Sequence, residues 1–114
     1  VSPCTFCRIA AGEAPARTVY EDEEILAFED IRPQAPLHIL VIPRRHMASL
    51  NEATEDDARL VGRLLLKARD LARARGIASR GYRIVTNCGP EAGQSVFHLH
   101  VHLLGGRPMG WPPG

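Results

Sequence analysis

The ten residues FHLHVHLLGG, 97 to 106, constrain the chain more than any other stretch. His98, His100 and His102 recur at a strict spacing of two and alternate with Phe97, Leu99, Val101 and Leu103. On a helix, residues two apart point to nearly opposite sides; on a strand they share a face. The run therefore predicts a strand with its apolar residues in a core and three imidazoles presented together. Histidine is the side chain whose ordinary pKa lets it exchange protons near neutrality, so this face predicts a reacting centre. The triplet alone leaves two chemistries equally open: nucleophilic or acid–base use, and ligation of a metal such as zinc with an open position for water.

The rest of the chain supplies the setting for that strand. Arg17–Glu21 and Ile25–Asp30 read as a hairpin around the acidic turn Asp22–Glu24. Leu37–Ile42 (LHILVI), rich in aliphatic residues and closed by Pro43, reads as a central strand. Its only polar side chain, His38, is expected to add a fourth imidazole to the histidine face. Tyr82–Asn87 alternates as a further strand, and the loop Gly89–Gly93 leads through Gln94 and Ser95 into the triplet. Thr54 and Asp57 form a capping-box pattern, with Leu60, Val61, Leu64, Leu65, Ala68, Leu71 and Ala72 at helical spacing up to Gly76. This predicts one long helix. Its Arg59, Arg63, Lys67, Arg69, Arg73 and Arg75 read as a solvated face in preference to a phosphate-binding stripe. Cys4–Ala11 reads as a short helix packed on the sheet. The fold class is thus α+β, a mostly antiparallel sheet of about five strands with one long and one short helix, in a single domain spanning 1–114.

Composition excludes several functions. A chain of 114 residues with 45% hydrophobic and 24% charged residues is an ordinary globular domain. A net charge of +1 provides no field for nucleic acid or an anionic membrane. No apolar run is long enough to span a bilayer and no secretory signal is visible, so a cytoplasmic location is the expectation. Three cysteines argue against a disulfide framework, and Cys4 and Cys7, a C-x-x-C, read as metal ligands or a redox pair. Cys88 carries no assigned role.

A resemblance sharpens this reading. HLHVHLL resembles the histidine triad that names the histidine triad (HIT) superfamily of nucleotide hydrolases and transferases. DIRPQAPLHILVIPRRH at 30–46, GQSVFHLHVHLLGGR at 93–107 and the WPPG ending are similar to its HINT branch, the histidine triad nucleotide-binding proteins. The resemblance implies hydrolysis of a P–N (phosphoramidate) or related bond at the α-phosphate of a purine nucleoside monophosphate derivative. His100 falls on the nucleophile that forms a nucleotidyl-histidine; His38, His98 and His102 fall on supporting histidines, and Ser95 on the serine near the leaving group. Asp30 falls on the ribose-binding carboxylate, Phe6, Ile9, Phe28 and Ile31 on the base pocket, and Asn87 and Gly93 at the phosphate end; Gln94 and Ser95, read from the residues alone, supply an amide and a hydroxyl suited to an anion or a leaving group. Read from the residues alone, Phe6 and Phe28 are equally ordinary core. The resemblance further implies an AMP-type ligand, no cofactor for catalysis, and a homodimer in which Trp111 lies near the partner's site. Cys4 and Cys7 resemble those of bacterial members in which the pair joins His46 and His98 in a structural zinc site. His98 is then a scaffold and not an acid or base. The alternative function is a nucleotide-binding regulatory or interaction module with incidental hydrolysis.

Overall fold

A computed structural model describes residues 2–114. Its elements are α1 (Thr5–Ala10), β1 (Thr18–Glu21), β2 (Ile25–Glu29), β3 (Leu37–Pro43), α2 (Ala58–Ala74), β4 (Tyr82–Val85) and β5 (Val101–Gly105). The five strands form one antiparallel sheet in the order β1-β2-β3-β5-β4, so the expected α+β architecture is the observed one. Among the described residues no helix is long and apolar enough to cross a membrane.

The central strands are buried on both faces, which explains why LHILVI reads as a continuous apolar run. Ile25, Ala27, Ile39, Val41, Val101 and Leu103 pack on one side with Leu60, Leu64, Ala68 and Leu71 of α2. Leu26, Phe28, Leu40 and Ile42 face the other way and pack with Phe6 of α1. His38 shares its face with Leu40 and Ile42, and lies opposite Leu104 while Leu40 lies opposite His102. Alternation thus places the two histidines diagonally on adjacent strands, on the α1 side of the sheet.

The capping box forms as the spacing predicts: the Asp57 carboxylate accepts the Thr54 N–H at 2.9 Å at the head of α2. Arg45 holds the same carboxylate through an ion pair, tying the segment after β3 to that helix. Arg59 and Arg63 reach Glu24 and Asp22 in the β1–β2 turn, and Lys67 and Arg69 pair with Asp70. Arg63 donates to Asp22 at 2.7 Å, and that guanidinium holds the carboxyl well below the usual carboxylate range. Arg59 and Arg63 therefore fasten α2 to the hairpin.

Three expectations are corrected. The strand predicted from Phe97 joins the ladder only at Val101, so His98 and His100 precede it. Two long-range bonds replace the ladder there: Leu99 N–H donates to Met47 O at 2.6 Å, and Thr86 Oγ1 donates to His100 O at 2.8 Å. Phe97, placed in the core by alternation, is 59% exposed. Leu65, placed on the core face of α2, is exposed together with Leu66.

Candidate active site

A cavity of about 520 Å³ opens on the α1 side of the sheet. Phe6 and Ile9 of α1 form one wall, Phe28, Asp30 and Ile31 from the end of β2 another, and His100, His102 and Ser95 the floor at one end. Phe6 packs edge-on to Phe28 at 5.3 Å and to His100 at 5.1 Å between ring centres, so the α1 aromatic fixes both the apolar slot and an imidazole.

The hydrogen bonds of the four imidazoles determine their tautomers when they are neutral. His100 Nδ1–H donates to the main-chain O of His98 at 2.7 Å, which leaves the Nε2 lone pair free. Gln34 N–H donates to His38 Nδ1 at 3.0 Å, so the His38 proton is on Nε2. That Nε2–H donates to His102 Nδ1 at 2.8 Å and stands 3.4 Å from Asp30 Oδ2. The His102 proton is then on Nε2, a buried atom with no partner. A main-chain amide at one end thus fixes a relay that terminates in an unspent donor on a cavity-lining residue. Asp30 Oδ1 accepts the Arg32 N–H at 2.8 Å, which orients the carboxylate at the cavity wall.

Burial keeps this relay uncharged. It lowers the His38 pKa against the opposing pull of Asp30, and it lowers that of His102 to about 4, helped by His100 and His38. In the unfolded chain both imidazoles take up a proton near their ordinary value of 6.5. The stability they contribute is therefore complete above that pH and declines as the pH falls toward about 4. Imidazole titration by NMR is expected to give His102 a midpoint near about 4; an ordinary midpoint would contradict the relay.

His98 is separate from this chemistry. It is fully buried, and its Nε2–H donates to Pro43 O at 2.8 Å, turning Nδ1 toward the cysteines. Cys4 Sγ is 3.4 Å and Cys7 Sγ 3.5 Å from His98 Nδ1; Cys7 Sγ is 3.3 Å and His98 Nδ1 3.2 Å from His46 Nδ1. On a tetrahedral zinc with ordinary bond lengths, S···N edges measure about 3.5 Å and N···N edges about 3.3 Å. The four donor atoms therefore fit one ion, and the Pro43 carbonyl orients His98 as an outer partner does. Burial, with Cys4 beside it, pushes the Cys7 thiol up, so a cation is what would favour its thiolate. A second cluster, Asp30, His38 and His102, has donor atoms equally near, but its 2.8 Å N···N separation is a hydrogen bond and too short for two ligands of one zinc. The triplet itself does not converge on a single metal position.

Of the residues singled out in the sequence, the cavity brings together Phe6, Ile9, Phe28, Asp30, Ile31, Ser95, His100 and His102. Asn87, Gly93, Gln94 and Trp111 are outside its walls. Gln94 is buried, with Nε2 donating to Ala48 O at 2.7 Å and Oε1 accepting the Gly89 N–H at 3.0 Å. Its amide holds the loop before Ser95 and is not free for a phosphate. Gly93 closes the same loop at φ +80, a conformation natural to glycine. Trp111 is 84% exposed. Thr5, Arg8, Ala14, Pro15, Ala16, Leu40 and Val96 also line the cavity and carried no sequence signal.

The family model of the HIT domain matches residues 11–109. The chain belongs to the HIT domain family. It is 52% identical to an uncharacterized HIT-like protein of Synechocystis over 109 residues, 96% of this chain and 95% of that one. A HIT family hydrolase from Legionella pneumophila superposes with a TM-score of 0.96 at 54% identity, covering 97% of this chain and 99% of that chain. A HIT family hydrolase from Clostridium thermocellum superposes at 0.92 with 47% identity, covering 96% of each chain. In this HIT domain all five histidines lie in two adjoining clusters, one around the cavity floor and one around Cys4 and Cys7.

Proposed function

We propose that this HIT domain is a HINT-type nucleotide hydrolase that cleaves P–N or related bonds at the α-phosphate of purine nucleoside monophosphate derivatives through a nucleotidyl-His100 intermediate. The observation that carries the reading is the pair of neighbouring imidazoles on the cavity floor, ring centres 4.9 Å apart: His100 with Nδ1 spent on a carbonyl, which in the neutral ring leaves Nε2 its lone pair, and His102 with an unspent Nε2–H. A neutral imidazole with a free lone pair is a nucleophile, and a fixed buried donor beside it suits the charge that grows on a phosphoryl oxygen.

In this reading the base occupies the slot between Phe6, Ile9, Phe28 and Ile31, and Asp30 accepts from the ribose hydroxyls. His100 Nε2 attacks phosphorus and the P–N bond breaks. His102 Nε2–H donates to a non-bridging oxygen, and the Ser95 hydroxyl, which both donates and accepts, passes a solvent proton to the departing nitrogen, which leaves as the free amine. Water then attacks the nucleotidyl-histidine, releasing the nucleoside monophosphate and restoring the lone pair.

Cys4, Cys7, His46 and His98 are the residues that would hold a structural zinc. Two thiolates and two imidazoles leave no open position, so the ion's part is to staple α1 to the segments around His46 and His98. A homodimer fits the same reading: α2 exposes Leu65 and Leu66, and the outer edge of β4 is unpaired. Trp111, exposed on the tail, is then the residue placed to reach the partner's site.

The test is conversion of adenosine 5′-phosphoramidate to AMP and ammonia by the purified protein. Turnover supports the assignment. Tight AMP binding without turnover favours a nucleotide-binding module instead.

A further inference from the structure

Arg8 is the anomaly of the cavity wall. Among the described residues it takes part in no ion pair, and its Nε is buried without a hydrogen-bond partner. Most other arginines that leave bulk solvent here have found an acceptor: Arg44 donates to Ala10 O, Arg63 to Asp22 and Arg83 to Gly110 O. A half-buried guanidinium left unpaired in a largely apolar wall is unfavourable until something with acceptor atoms enters.

The position of Arg8 on α1 indicates which part of a ligand that is. The N-terminal end of α1 meets the segment that carries the floor serine: Cys4 and Thr5 line a second, smaller cavity with Ser95, Val96 and Phe97. The C-terminal end turns away from it. Arg8 O accepts the Glu13 N–H at 2.8 Å, and the chain that follows, Ala14 to Ala16, lines the main cavity with Arg8 and Ile9. Arg8 is thus one helical turn along α1 from Thr5, the residue that meets Ser95, and it lines the main cavity with Ile9 of the apolar slot. Arg32, the other arginine of the wall, is exposed and its Nε is not among the buried orphans.

We infer that Arg8 reads the edge of the base and sets this site toward 6-oxopurine nucleotides, those of guanine and hypoxanthine, over adenine. The inference rests on the nucleotide reading of the cavity. An apolar slot accepts any flat purine and discriminates weakly between them. A guanidinium presents two parallel N–H donors that match O6 and N7 of a 6-oxopurine. Adenine offers N7 but turns an amino donor toward the second N–H, so one bond is lost and two donors face each other.

The experiment is calorimetric titration of the full chain with GMP, IMP and AMP, which carry no leaving group, for wild type, Arg8→Met and Arg8→Lys. Wild type is expected to bind GMP and IMP about tenfold more tightly than AMP, the lower part of the range for one bidentate arginine–base pair. Arg8→Met keeps the apolar stem and is expected to bind all three with one common affinity, no tighter than wild type binds AMP, and that residual binding also shows that the variant folds. Arg8→Lys keeps the charge without the fork and is expected to lose most of the preference. An equal affinity of wild type for the three nucleotides, or a preference that survives Arg8→Met, overturns the inference while leaving the nucleotide site intact. A uniform loss for all three in Arg8→Met, restored by Arg8→Lys, overturns it in favour of a phosphate counter-charge. Failure of every nucleotide to bind wild type overturns the nucleotide reading itself.

Discussion

Replacing His100 with alanine is expected to lower turnover of a nucleoside phosphoramidate by about four orders of magnitude or more while leaving AMP affinity within a few-fold of wild type. The argument is that no other imidazole can take its place. His98 turns Nδ1 toward the cysteines and spends Nε2 on Pro43; His38 and His102 spend Nδ1 as acceptors within the relay. Only His100 has its Nδ1 proton committed to a carbonyl and Nε2 free beside the cavity. Loss of a nucleophile from a group that acts as a unit removes nearly the whole covalent route. Binding survives because the slot and Asp30 are untouched. Steady-state kinetics and calorimetry on the same preparation check both halves, and a variant with turnover near wild type would remove His100 from the chemistry.

If Cys4, Cys7, His46 and His98 hold zinc as proposed, removing it is expected to act on stability first. A closed set of two thiolates and two imidazoles that binds only the folded chain contributes about 3–4 kcal/mol at metal concentrations of several hundred times its dissociation constant. For a domain of this size that corresponds to a fall in Tm of roughly 10–15 °C on chelation or in Cys7→Ala. Below the unfolding range, chelated protein is expected to keep kcat within a few-fold and to show a raised KM. Phe6 is between the two cysteines on α1 and forms the cavity wall, whereas the His100 tautomer rests on a main-chain carbonyl. Calorimetric scans with and without chelator, metal analysis of the purified protein and the kcat–KM split read these effects. Complete loss of kcat on chelation, with the fold intact, would move the metal into the reaction.

The strands β2 and β3 and the helix α2 were legible because each depends on local patterning: alternation in β2, a short aliphatic run closed by Pro43 in β3, and a 3.6-residue apolar period opened by the Thr54–Asp57 cap. Where the ladder starts was not. Periodicity says which residues share a face, but pairing at His98 and His100 is decided by Met47 and Thr86, which are distant in sequence. Phe97 reads as core for the same reason and is exposed. Gln94 reads as a donor to a ligand, but its amide is consumed by Ala48 and Gly89, partners that local sequence does not reveal. The pattern brings four imidazoles together without separating their duties. That division comes from which ring nitrogen each backbone carbonyl or amide engages. Arg8 carries no signal in the sequence, and only the cavity beside it makes its orphaned Nε conspicuous.

The central claim, a covalent nucleotidyl-His100, is tested most directly by stereochemistry at phosphorus. A substrate with a chiral α-phosphorus, hydrolysed in isotopically labelled water, reports the number of in-line displacements. Attack by His100 followed by attack of water inverts the centre twice and gives net retention, the result predicted here. Net inversion would mean that water attacks phosphorus directly and would contradict the account.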